Sequence, residues 1–187
     1  MSKINILDRA EAFAQLKKEM ALGSSYERLP ALLDWAMWCD GGDWLHELGS
    51  QWTGFDNVHV YADELAEAVF MHHQDGYPIT PMMNEAELEA FDQLPEVLTV
   101  YRGCYALNKW GFCWSLDRAV AERFPFMNRY GGEGRPLLVK ATLQKSQVAA
   151  LKLDRSEAEI VTFERPKCIS ISTARMSAPL VLEGGAA

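Results

Sequence analysis

What this 187-residue chain lacks removes several classes of function. No stretch approaches the ~18 consecutive apolar residues of a membrane-crossing helix. The N-terminal Met1–Asp8 is too short and too polar for a secretion signal, so we expect a cytoplasmic protein with no membrane partner. Only four cysteines occur, Cys39, Cys104, Cys113 and Cys168, with no CxxC pair and no metal-finger spacing. Free thiols in a reducing compartment are expected instead of a disulfide framework. Neither a Walker-type phosphate loop nor a GxSxG nucleophile turn is present. Basic residues are scarce at first: residues 1–95 hold 5 Lys/Arg against 17 Asp/Glu. That balance argues against a nucleic acid held by its phosphates. Residues 96–187 reverse it, 13 against 9, and suit a small anionic ligand.

What is present is material for a core. Hydrophobic residues make up 49% of the chain, with six Trp and eight Phe, enough for one folded domain. The first half reads as helices. Ser2 or Asp8 caps one that ends near Leu22, before Gly23-Ser24-Ser25. Leu29, Leu32, Leu33, Ala36 and Met37 predict a second over Tyr26–Trp38, which Cys39-Asp-Gly-Gly42 breaks. A short helical turn is expected over 43–48 and a longer helix over Val58–His73. Asn84 caps another, Glu85–Phe91, whose first-turn acids suit the helix dipole.

After Pro95 the texture turns to strands: Val97–Tyr101, Phe112–Ser115, Leu137–Leu143, Val148–Leu153, Ile160–Phe163, Ile169–Ile171 and Leu180–Leu182. One brief helix, Arg118–Phe124, is capped by Asp117. Helices followed by strands predict an α+β protein. An acidic helical region, 1–95, braces the sheet region 96–187 or recognises its target, and the two form one compact unit.

Three stretches of the sheet half carry the candidate chemistry. Tyr101-Arg102-Gly103 places a guanidinium at a strand end, with a glycine that lets a ligand approach the backbone. Cys113-Trp114-Ser115 leads a strand into a capped helix and puts small polar groups at a cleft floor. Glu157-Ala-Glu159 opens a late strand with two carboxylates on one face, where they repel each other. Taken singly these are a strand-end arginine, an aromatic corner and a solvated strand end. Their order and spacing are more specific.

In that order, residues 97–163 resemble the ADP-ribosyltransferase superfamily, in the branch with an Arg, a Ser-x-Ser-like segment and a terminal Glu. The resemblance implies a split β-sandwich, two small sheets with NAD as co-substrate in the cleft between them. It implies that Arg102 holds the NAD phosphates and Gly103 the nicotinamide amide. Cys113-Trp114-Ser115 then stands for the Ser-Thr-Ser segment, so Trp114 and Ser115 also line the cofactor. Glu159 is the implied catalytic glutamate and Glu157 its partner toward the acceptor. The 152–156 loop becomes a target-recognition turn, and Phe126 or Tyr130 a cover for the nicotinamide. The implied activity is mono-ADP-ribosylation of a protein target, with arginine as acceptor, in the manner of a toxin-like or phage-encoded effector.

One position departs from the family. Cys113 stands where a serine orients the glutamate, and a thiol is a weak donor. Either Ser115 takes over, or the register is shifted, or the site is silent and the protein binds a partner through its acidic helical surface.

Two further features read more plainly. His72-His73 with Asp75 has no third ligand at helical spacing, so no metal is expected. Trp35, Trp38, Trp44 and Trp52 lie in acidic surroundings and read as core instead of a base-stacking platform.

Overall fold

A computed structural model describes residues 8–127, 132–154 and 158–175. The expected α+β order is observed: helices α1 (Arg9–Leu22), α2 (Arg28–Asp34), α3 (Gly41–Gln51), α4 (Ala62–Gln74) and α5 (Glu85–Asp92) come first. Strands β1 (Val97–Cys104), β2 (Cys113–Ser115), β3 (Leu137–Gln144), β4 (Ala150–Lys152), β5 (Glu159–Val161) and β6 (Lys167–Thr173) follow, with helix α6 (Arg118–Arg123) after β2. Among the described residues no helix is long and apolar enough to cross a membrane. The expected strand Leu180–Leu182 lies outside the described residues.

Capping explains most helix starts. Asp8 accepts from the Ala10 N–H and caps α1, while the other expected cap, Ser2, lies outside the described residues. Asn84 and Glu87 form a reciprocal capping box on α5. The helix expected over Tyr26–Trp38 is shorter, because α2 ends at Asp34 and residues 35–38 form a turn. The largest departure is α3. Gly41-Gly42, expected to break the chain, is its first turn. Asp40 accepts from the Gly42 and Asp43 N–H groups and offsets the entropy that glycine costs a helix. Gly49 is equally structural: a Cβ there would strike the Met82 backbone, so α3 can lie directly on the Thr80–Met82 turn only through glycine.

The strands hydrogen-bond in the order β4-β5-β2-β1-β3-β6, every neighbouring pair antiparallel. The joints are uneven. β1 and β3 share a ladder from Val97–Gln144 to Cys104–Leu137, whereas β1 and β2 meet in one registered pair, Tyr101 opposite Ser115. The sheet is therefore two three-stranded halves hinged at a single point. Its main core joins the helices to both halves: Leu16, Leu32, Trp44 and Leu65 pack with Leu98, Val100, Trp114, Leu143 and Ile160. A small cluster, Ala121, Leu138 and Ala174, with Tyr101 against it, forms a second core under α6.

Candidate active site

The point where β1 and β2 part is also where the predicted site residues meet. β1 runs past its expected end at Tyr101 to Cys104, so Arg102 lies inside the strand and not at its terminus. Its Nη1 donates to the Cys113 carbonyl at 2.6 Å, and its Nε and Nη2 donate to the Asn108 carbonyl at 3.1 and 3.0 Å. The guanidinium thus fills the fork that the short ladder leaves open. Gly111 lies against it, and a Cβ there would make the guanidinium shift from this position. No carboxylate is ion-paired with Arg102 among the described residues, and backbone carbonyl dipoles meet its charge there.

Gly103 has a different reason from the one expected. A Cβ there would collide with the Ala121 carbonyl oxygen of α6, so the glycine permits close helix–strand packing as well as facing the cleft.

Across the fork, β2 and β5 pair Ser115 with Glu159 and Cys113 with Val161. Alternation along β2 puts Cys113 and Ser115 on the face that carries Glu159, while Trp114 and Ile160 turn into the core. The Ser115 hydroxyl accepts from the Asp117 N–H at 3.0 Å, which ties it to the turn that starts α6. Burial, then the adjacent Glu159 carboxylate, push the Cys113 thiol well above its ordinary range. Trp114 is a wall, its indole N–H donating to the Gly111 carbonyl at 3.0 Å.

The firmest hydrogen bond to Glu159 comes from a residue that sequence reasoning assigned only to the core. Trp52, in the 3-10 turn Trp52–Gly54 after α3, donates its indole N–H to Glu159 Oε1 at 2.8 Å. Thr53 beside it donates to Asp154 Oδ2 at 3.2 Å. Neither contact has a sequence signal, because 107 residues separate Trp52 from its partner.

Arg102, Gly103, Cys113, Trp114, Ser115 and Glu159 all line one cavity of about 230 Å3. Asp56, Asp154 and Glu159 supply its acidic groups and Arg102 and Lys152 its basic ones, and Arg165 lies 4.0 Å over the ring of the lining residue Trp110. Phe126 is not part of the lining; Phe124 and Pro125 from the same turn are. Glu157 and Tyr130 lie outside the described residues, as do positions 155 and 156 of the 152–156 loop. Among the described residues no group of three or more His, Cys, Asp or Glu could hold a metal ion. Compared with family models, with curated proteins and with solved structures, the chain matches none.

Proposed function

We propose that this chain is an NAD-dependent mono-ADP-ribosyltransferase, transferring ADP-ribose to a macromolecular acceptor, a protein arginine in the first instance. The observation that carries the reading is the convergence of Arg102, the Cys113–Ser115 segment and Glu159 on one cavity at the hinge between two half-sheets. That hinge also supports a cleft of the split-sandwich kind.

The presence of Glu159 and Arg102 on one cavity suits the reaction. The C–N bond between nicotinamide and the ribose C1′ breaks and its electron pair leaves with nicotinamide, so positive charge develops on the ribose. An ionised Glu159 stabilises that charge. Arg102 holds the diphosphate and so fixes the ribose. The acceptor nitrogen bonds to C1′ and gives up a proton, and Glu157 is the proposed base or aligner.

One observation favours a second reading. Three N–H groups of Arg102 already bond to backbone carbonyls, as they would in a silent member that uses the fold to bind a partner. Nicotinamide release from NAD separates the two, measured with water or a small guanidine compound as acceptor. The parent should turn over, and Glu159→Gln should lose on the order of 100-fold or more, the cost typical of removing one electrostatic stabiliser. A parent that releases no nicotinamide with any acceptor sinks the transferase reading.

A further inference from the structure

We infer that Trp52, from the helical half of the chain, is the positioning residue that orients Glu159, so that the catalytic cleft is incomplete without that half. The inference deepens the transferase reading and rests on it.

Four groups stand close enough to orient the carboxylate, and one of them, Lys152, opposite Glu159 on β4, spends its ammonium on the Glu87 carboxylate and the Met82 carbonyl. Ser115 is directly opposite Glu159 in the ladder, but its oxygen accepts from the Asp117 N–H and its rotamer serves the α6 turn. Cys113 lies diagonally across and offers a thiol, a weak donor. Trp52 offers an indole N–H, which donates only and cannot turn round to compete as an acceptor. It already spans 2.8 Å to Oε1.

The indole is also fixed. Trp52 is 3% exposed and sits edge-on to Phe163, ring centroids 6.2 Å apart at 87°, and Phe163 in turn packs on Phe112 at 4.9 Å. The next residue, Thr53, bonds to Asp154 just beyond β4. Two successive residues of one turn thus hold both ends of the β4–β5 connection. With Oε1 held by the indole, Oε2 is the oxygen we assign to face the ribose.

This also accounts for the tolerance of a cysteine at position 113. Where the orienting donor comes from another element, a hydroxyl at that position is not required.

The test combines kinetics with a measurement that needs no turnover. Trp52→Phe keeps an aromatic ring at a smaller volume and removes the N–H. The kcat for nicotinamide release should fall about 10- to 100-fold, as for loss of a hydrogen bond to a charged group, with the KM for NAD within about threefold of the parent. Adding Cys113→Ser to that variant places a hydroxyl beside Glu159 and should recover about tenfold. A purely structural tryptophan would give no such rescue. A Trp52→Phe kcat within about twofold of the parent overturns the inference, and so does a loss that Cys113→Ser leaves untouched.

Should Trp52→Phe not fold, the indole N–H resonance of Trp52 is followed by nitrogen-15 NMR in the parent and in Glu159→Gln. It should move when the carboxylate becomes an amide; an unmoved resonance overturns the inference. A parent inert toward NAD but with a responsive indole removes the transferase reading and the positioning role with it. An active parent with an unresponsive indole removes the positioning role alone.

Discussion

At the scale of single residues, Cys113 joins the legible and illegible parts of the site. The family resemblance marked it as the departure from a serine and grouped Arg102, Ser115 and Glu159 in one constellation, because their order and spacing along the chain are legible without the fold. It did not show that Arg102 would be bonded to the Asn108 and Cys113 carbonyls, since that needs the turn between β1 and β2 to fold back. Cys113 also yields a prediction free of any functional reading. Burial is the first cause of its raised thiol pKa and the Glu159 carboxylate the second. The reactive species is the thiolate, so Cys113 should alkylate far more slowly at pH 8 than the exposed Cys168. Glu159→Gln removes the negative charge, lowers the thiol pKa and should speed alkylation of Cys113 several-fold, with burial still holding it below Cys168. Peptide mass spectrometry of timed samples reads both rates, and an unchanged rate in Glu159→Gln would mean that the carboxylate does not act on the thiol.

Among the elements, helix starts could be read and helix contacts could not. Asn84 before two first-turn glutamates announces α5, but nothing local says that Glu87 serves two further masters. Besides closing the capping box, its Oε2 takes the Lys152 ammonium at 2.8 Å and its Oε1 the Leu153 N–H at 3.3 Å. Both side chains are almost wholly buried, and Lys152 also donates to the Met82 carbonyl at 3.0 Å. This pair fastens α5 to β4, the edge strand that precedes the Glu159 strand. Lys152→Met leaves Glu87 charged and buried with one fewer donor, a change that typically costs about 3–5 kcal/mol. Asn84→Ala removes only the cap and should cost about 1 kcal/mol. Urea unfolding of the two variants should reproduce that order, and equal losses would show that the ion pair adds nothing to the cap. The α3 glycines teach the same lesson from the other side. Gly41 reads as a breaker, and Gly49 gives no signal, because their reason, a neighbour where a Cβ would sit, lies in Tyr77 and Met82.

For the molecule as a whole, charge and texture change near residue 95, from an acidic helical half to a basic sheet half, and the two are expected to form one compact unit. The charge divides there, but the fold does not. One core runs from Leu16 and Trp44 through Trp114 to Ile160. Trp52–Glu159, Thr53–Asp154, Lys152–Glu87 and the Leu151 N–H on the Met83 sulfur all cross the boundary. Such tertiary contacts leave no periodicity in the chain, so the helix-then-strand order was readable while the dependence of one half on the other was not. Shared burial of this kind predicts one cooperative transition. Helical circular dichroism reports mainly residues before 95, whereas Trp110 and Trp114 place fluorescence reporters in the sheet half. With the four earlier tryptophans contributing as well, the clean comparison uses Trp114 alone, after replacing the exposed Trp38 and following the remaining signals by nitrogen-15 indole NMR. Urea midpoints from helical dichroism and from the Trp114 indole should coincide. A Trp114 signal that persists after the helices have melted would show a sheet that stands alone, and would detach Glu159 from the turn that we infer aligns it.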